Sequence, residues 1–316
     1  MEKTATIQQL SIPQGARIIC ISDIHGEIDL LKALLAKVNF SSQDILILLG
    51  DIYTKGSQPY PTLRYCIELH QQPNVHILRG NADWGNDPQL TPEENAWLDH
   101  LPDIIDTPEY TFVHSGIGPG KLEDERPATV KKYNNFMEEA TPFSKWVVVG
   151  HWPVGMYCHQ IPCQNPIVDH HKKIISIDGG MAISPQGQLN SFMIQGGNFS
   201  YTWVDPFPAM TMTQPQAESG GHLNITYLDR FVDIVEDGDR LCRVKHLATG
   251  TVLTVPKAYI WQDGDGKTGI CDCATDYYLP CQVGDRVYVV DTFDDRILAK
   301  KDGVVGWVAY PPSILL

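Results

Sequence analysis

At 316 residues, 43% of them apolar and 20% charged, the chain has room for one large domain and a smaller one, with the composition of an ordinary soluble protein. Its 24 basic and 38 acidic side chains give a formal charge of −14, which argues against broad electrostatic binding to nucleic acid or anionic lipid. An anionic substrate therefore needs positive charge concentrated at its own site, and bound metal ions are one way to supply it.

The apolar run Arg17-Ile18-Ile19-Cys20-Ile21 reads as a buried strand ending in Ser22-Asp23-Ile24-His25-Gly26. Glu27 to Val38 places Ile28, Leu31, Leu34, Leu35 and Val38 at helical spacing. A second strand, Asp44 to Leu49, ends in Gly50-Asp51. A helix over Tyr60 to His70 and a third strand, Val75 to Leu78, lead to Arg79-Gly80-Asn81-Ala82-Asp83. Such alternation implies a layered α/β domain, in which ligands collect at the carboxyl ends of the strands. Thr91-Pro92-Glu93-Glu94 carries the marks of a helix start, with Thr91 as N-cap and Glu94 as its capping-box partner. Tyr110 to Val113 is strand-like and runs into His114, Ala128 to Glu139 reads as one helix over the sheet edge, and Trp146 to Val149 is a strand followed by Gly150-His151-Trp152-Pro153. The later strand signals, Ile174 to Ile177, Leu189 to Ile194 and Phe199 to Val204, have no intervening helices and suggest antiparallel hairpins.

Residues 206–221, rich in Pro, Met, Thr, Gln and Gly, read as a linker between a domain over 1–205 and an all-β region over 222–316. Within that region Gly238-Asp239-Arg240-Leu241 leading to Gly250–Pro256 resembles Gly284-Asp285-Arg286-Val287 leading to Gly303–Val308, each a strand, a distal turn and a Gly-rich return strand, so one duplicated unit or two tandem small barrels is expected. No run approaches a membrane span, and Met1 to Gln8 lacks the features of a signal peptide, so a cytoplasmic protein is expected, with its eight cysteines mostly free thiols.

In chain order the strand ends supply Asp23, His25, Asp51, Asn81, His114 and His151. Oxygen and imidazole donors of this kind suit two divalent cations, Mn, Fe or Zn, with a carboxylate such as Asp51 placed to bridge them. Cys158, His159, Cys163, His170 and His171 read as loop packing and surface imidazoles rather than as a loop metal site or the lining of a substrate entrance, and Cys242, Cys271, Cys273 and Cys281 lack zinc-site spacing. Tyr53, Trp84 and Trp152 adjoin the metal motifs, where they either pack or stack on a base or aryl group.

Together the segments around Asp23, Asp51, Asn81, His114 and His151 resemble the ordered motifs of calcineurin-like metallophosphoesterases, nearest the branch of serine/threonine phosphoprotein phosphatases and symmetrical diadenosine-tetraphosphate hydrolases. The resemblance covers about the first 200 residues. It implies a four-layer α/β/β/α sandwich, a first metal on Asp23 and His25, Asp51 as bridge, and a second metal on Asn81, His114 and His151. It also assigns Asp51, Asn81, Asp83 and Lys55 to catalysis, in which a metal-bridging water attacks phosphorus in line. The C-terminal region, on Gly306-Trp307-Val308 and its Gly-Asp-Arg starts, resembles a bacterial SH3-like module, which implies a protein partner or self-association.

The sequence departs from that pattern in ways that bear on substrate. Ala82 stands where the family usually carries histidine, and the loss of general acid help, typically worth ~10²–10⁴ in rate, penalises alkyl monoesters more than anhydrides or activated diesters. Lys55 stands where many relatives carry arginine, and lysine holds a phosphate oxygen only as a point charge. His151 is followed by Trp152-Pro153, so that motif offers the first metal no imidazole. The expected function is a metal-dependent phosphohydrolase, of serine/threonine-phosphatase type, acting on a phosphorylated small molecule or phosphoprotein. The alternatives are a dinucleoside polyphosphate hydrolase or phosphodiesterase, and a catalytically weak scaffold that binds a partner through its tail.

Overall fold

The computed structural model describes residues 4–219, 222–262, 268–271 and 273–309. The chain divides into two compact units: residues 1–154, 165–183 and 187–205 form the first, and residues 155–164, 184–186 and 206–316 the second. No helix among the described residues is long and apolar enough to cross a membrane.

The first unit holds strands β1 (Ile7–Gln9), β2 (Ile18–Ile21), β3 (Ile45–Leu48), β4 (Val75–Ile77), β5 (Ile104–Asp106), β6 (Tyr110–Val113), β7 (Trp146–Val149), β8 (Ile167–Asp169), β9 (Ile174–Ser176), β10 (Leu189–Gln195) and β11 (Asn198–Val204). They form a five-stranded sheet, β11-β10-β2-β3-β4, and a six-stranded sheet, β1-β5-β6-β7-β9-β8. Within the first, β2, β3 and β4 run parallel, and within the second β6, β7 and β9 do, so the polar segments that follow them issue from matching edges. The β10–β11 hairpin closes the five-stranded sheet, with β10 antiparallel to β2.

Alternation along the strands explains how the layers bind. Ile19, Ile21, Leu46 and Leu48 pack with Leu31, Leu34, Leu63 and Cys66 of helices α1 (Ile28–Lys37) and α2 (Pro59–Leu69). The opposite side chains, Ile18, Cys20, Ile45 and Ile47, pack with Ile105, Phe112, Val148 and Ile175 of the six-stranded sheet. Successive side chains of a strand point to opposite faces, so short apolar runs buried on both sides need no polar alternation. Helix α3 (Pro92–His100) begins with the capping box expected at Thr91 and Glu94.

The stretch Ala128 to Glu139 is not one helix. It forms α4 (Pro127–Lys131) and α5 (Phe136–Glu139), separated at Asn135, whose φ of 55° leaves the helical region. The Tyr133 backbone N–H donates to Ser115 Oγ at 2.8 Å instead of continuing the helix. This break sets Asn134 beside His151.

The second unit is mainly β. A four-stranded sheet pairs Ala209–Thr211, Arg286–Thr292, Arg296–Lys301 and Val304–Ala309, and a five-stranded sheet pairs Val252–Pro256, Leu241–His246, Phe231–Glu236, Thr268–Cys271 and Ile260–Gln262. The stretch read as a linker thus contains a strand, Ala209–Thr211, registered on Arg286–Tyr288, while Gly220 and Gly221 lie outside the described residues. Exposed Thr, Met and Pro mask strand periodicity when the strand is short and at a sheet edge. The two Gly-Asp-Arg segments enter different sheets. The first opens a hairpin, whereas the second opens a three-stranded meander through Arg296–Lys301. Trp307 is buried among Val232, Val244, Phe293 and Leu298 and donates its indole N–H to the Thr275 carbonyl at 2.8 Å. Residues 310–316, the end of the expected C-terminal region, lie outside the described residues.

Candidate metal centre

The segments that follow β2, β3, β4, β6 and β7 supply the polar groups, and backbone bonds tie them edge to edge. Asp23 N–H donates to the Gly50 carbonyl at 3.1 Å, His25 N–H to the Asp51 carbonyl at 2.9 Å, and Gly150 N–H to the His114 carbonyl at 2.8 Å. Glycines make this approach feasible. A Cβ at Gly80 would collide with the Asp51 carboxylate, and one at Gly150 with Ser22 and Asp23. Asp23, His25, Asp51 and His151 have φ of 53°, 48°, 53° and 65°, in the left-handed region that short polar side chains tolerate better than most. Held there, the backbone turns each side chain inward, and residues kept in sparsely populated conformations cluster at functional sites.

One oxygen or nitrogen each from Asp23, Asp51 and His114 lies within 4.8 Å of the others, all three residues being buried. Asp51 is central. Its Oδ1 lies 3.4 Å from His114 Nε2 and its Oδ2 lies 3.6 Å from His25 Nε2, so one carboxylate faces an imidazole on each side. The Asp23 Oδ1 lies 3.8 Å from His25 Nε2, while its Oδ2 accepts from Ser22 Oγ and from the His151 backbone N–H at 3.0 Å. One terminal atom of the Asn81 amide lies 3.0 Å from His114 Nε2 and 2.7 Å from His151 Nδ1. All the residues read as metal ligands from the sequence are therefore brought together.

The imidazoles are oriented by what their outer nitrogens meet. His114 Nδ1 lies 2.7 Å from the Leu49 carbonyl, which accepts its proton and leaves Nε2 to face Asp51. His151 Nε2 lies 2.8 Å from Asn134 Oδ1, which leaves Nδ1 facing inward. A ligating histidine whose other nitrogen donates to a carbonyl has its tautomer and ring plane set in advance. Asn134 was not legible as a site residue, since the segment containing it reads as helix. The paired asparagines Asn134-Asn135, which favour left-handed turns, were the available signal.

Charge follows burial. Burial lowers His25 to about 4 and His151 to about 3, with Lys55 and His114 adding positive charge near both. Burial also pushes His114 down, but Asp51, Asp23 and the Leu49 carbonyl outweigh it and leave His114 above its usual 6.5.

The residues assigned to catalysis divide. Asp51 and Asn81 line the centre, and Lys55 Nζ lies 3.4 Å from His25 Nε2. Asp83 does not face it. Its buried carboxylate accepts backbone N–H groups from Asp51 at 2.7 Å, Ile52 at 2.8 Å and Gly80 at 2.9 Å, which occupies both oxygens. It is a positioning residue: it joins the Asp51 loop to the Asn81 loop. Burial, with the Asp51 charge, raises it to about 6. Ala82 is buried, and its backbone N–H donates to Asp51 Oδ1 at 2.8 Å. Among the other residues singled out, the Tyr53 hydroxyl donates to the Trp84 carbonyl at 3.2 Å while the Trp84 ring is 69% exposed, and His170 packs edge-on against Trp146.

The donor set fits hard or borderline divalent cations: carboxylate and amide oxygens with imidazoles whose tautomers are already set, and no thiolate among them. Symmetrical bis(5'-nucleosyl)-tetraphosphatases of Hamiltonella defensa and of Yersinia pestis (strain Pestoides F) are 45% and 47% identical over 64 residues, 20% of this chain. The match spans only 22% of the length of those relatives. A crystal structure assigned as a diadenosine tetraphosphatase superposes with a TM-score of 0.52 at 19% identity, covering 64% of this chain and 99% of that one, which shows likeness of fold. The calcineurin-like phosphoesterase model matches residues 16–174, half of the chain and the stretch that carries every one of these donors, and the protein belongs to that family.

Proposed function

We propose that the protein is a metal-dependent phosphohydrolase whose centre holds two divalent cations, Mn, Fe or Zn. The carrying observation is the Asp51 carboxylate, which presents one oxygen to the His114 side and the other to the His25 side. In this reading Asp23 and His25 would hold the first cation, Asn81, His114 and His151 would hold the second, and Asp51 would serve both. When bound, such a pair of cations lowers the pKa of an attacking water and neutralises charge developing on phosphorus. The chain's own contribution is to fix the donors. Leu49 and Asn134 set the imidazole tautomers, Asp83 ties the Asp51 and Asn81 loops together, and Lys55 offers a positive charge to a phosphate oxygen. The four-layer α/β/β/α arrangement, an SH3-like second unit able to bind a partner or a second copy, and a cytoplasmic setting suited to the free cysteines belong to the same proposal.

Metal-dependent turnover that Asp51→Asn abolishes, together with loss of Mn²⁺ binding in that variant, is the expected result. Unchanged metal binding in Asp51→Asn would sink the reading and favour a scaffold.

A second reading, hydrolysis of a dinucleoside polyphosphate, is favoured by Ala82. The position next to Asn81 carries no proton donor, and an anhydride leaving group needs one least. A panel of monoester, diester and dinucleoside polyphosphate substrates is expected to show preference for the anhydride, and Ala82→His to raise monoester turnover by up to ~10². An unchanged monoester rate in Ala82→His would remove this explanation of substrate choice.

A further inference from the structure

One carboxyl of the first unit takes part in none of the interactions above. Asp178 lies just beyond β9, which runs parallel to β7 with Ser176 registered on Val149, so it stands at the strand end next to that of His151. Its side chain is wholly buried. The Oδ1 accepts the Gly180 backbone N–H at 2.7 Å, and the Asp178 carbonyl accepts from Val154 N–H at 2.8 Å, which fix the residue in place. The Oδ2 is buried without a hydrogen-bond partner.

The carboxyl is close enough to the centre to feel its charges. Burial first, and then the charges of Asp23 and Asp51, push the carboxyl well above the usual range, against an opposing pull from Lys55. A buried acid with an open oxygen beside two other carboxylates disfavours folding, because desolvation and like charge add. Asparagine or serine would keep an acceptor for Gly180 without that cost. A cation at the centre reverses the sign of the interaction. In the two-cation reading Asp23, His25 and Asp51 would face the first cation, and Asp23 Oδ2 accepts the His151 backbone N–H at 3.0 Å, which sets that half against the strand end next to that of Asp178.

We propose that Asp178 is a further protein group of the Asp23–His25 half of the centre, its unpartnered oxygen adding negative charge and an acceptor on the side of the cation held there. This rests on the two-cation reading above. The sequence carries the signal in Ser176-Ile177-Asp178-Gly179, an apolar strand ending in Asp-Gly like that of Leu48-Leu49-Gly50-Asp51 with the order inverted.

The test is calorimetric titration of the metal-stripped full chain with Mn²⁺, alongside Asp178→Asn, Asp178→Ser and Asp51→Asn. In both Asp178 variants one Mn²⁺ binding step is expected to weaken ~10–100-fold. The metal-free melting temperature is expected to stay level or rise, since a buried like charge has gone, and the rise in melting temperature on adding Mn²⁺ to shrink. Wild-type Mn²⁺ affinity in both variants, whatever their melting temperatures, would overturn the inference and leave Asp178 a folding residue. If Asp51→Asn also binds Mn²⁺ as the wild type does, the metal centre itself fails. Loss in Asp51→Asn with none in the Asp178 variants overturns only the role of Asp178.

Discussion

The two halves of the centre are built differently. On the His114 side each imidazole has its outer nitrogen against an oxygen acceptor, Leu49 O at 2.7 Å and Asn134 Oδ1 at 2.8 Å, and Asn81 closes the space between them. On the His25 side the Nδ1 nitrogen lacks a hydrogen-bond partner, Lys55 stands 3.4 Å from Nε2, and, as proposed above, Asp178 adds an open oxygen. One half is satisfied by protein alone. The other leaves polar atoms unpaired, to be completed by a cation, an anionic ligand or water. Pre-orientation lowers the cost of binding, whereas unpaired buried groups raise the cost of being empty, so the halves differ in what holds them together.

The largest expected effect falls on the brace shared by both halves. Asp83→Ala leaves the N–H groups of Asp51, Ile52 and Gly80 without an acceptor, and urea unfolding of the metal-free protein is expected to show a loss on the order of 3 kcal/mol, since each unsatisfied buried group costs ~1–3 kcal/mol. A change under ~1 kcal/mol would mean that water or loop movement replaces the brace.

Asn134→Ala acts on the satisfied half alone. It frees the His151 Nε2 proton and is expected to weaken one Mn²⁺ step by ~10-fold while leaving the step sensitive to Asp178→Asn unchanged. If both substitutions weaken the same step, the division of the centre into these halves is wrong.

The smallest effect is in proton count. A ligating imidazole must be neutral, so protons compete with the cation only at groups still protonated at the working pH. His25, at about 4, and His151, at about 3, are already neutral at pH 6, whereas His114, raised above 6.5, is not. Mn²⁺ affinity therefore falls with acidification below the His114 pKa, and the imidazoles contribute a slope of about one proton, not three. Calorimetry at pH 6 in buffers of different ionisation enthalpy reads the total, to which the raised carboxyls of Asp83 and Asp178 add their own protons, and release of four or more would contradict a single imidazole proton.

Much of the first unit was legible because its signals are local. Buried parallel strands are short apolar runs, α1 shows its face in Ile28, Leu31, Leu34 and Leu35, and the capping box at Thr91 needs only four adjacent residues. The polar groups after Ile21, Leu48, Ile77, Val113 and Val149 were visible for the same reason: a strand end exposes whatever follows it. The second unit was less legible. An edge strand as short as Ala209–Thr211 has too few residues to show a period, and the Arg296–Lys301 strand hid within what reads as a turn.

By itself, then, the sequence determined which residue types arrive at the strand ends and in what order, since that depends on periodicity and adjacency. Only the tertiary structure decided what each one does there. Asp51 and Asp83 are both acids after a glycine-rich strand end, yet one faces the imidazoles and the other is consumed by backbone donors. Asn134 lies 17 positions from His151, and Asp178 follows a strand registered on the one that precedes His151, so these neighbours come from a broken helix and a parallel strand pair. Direction, tautomer and an open oxygen are properties of packed neighbours, and no window along the chain contains them.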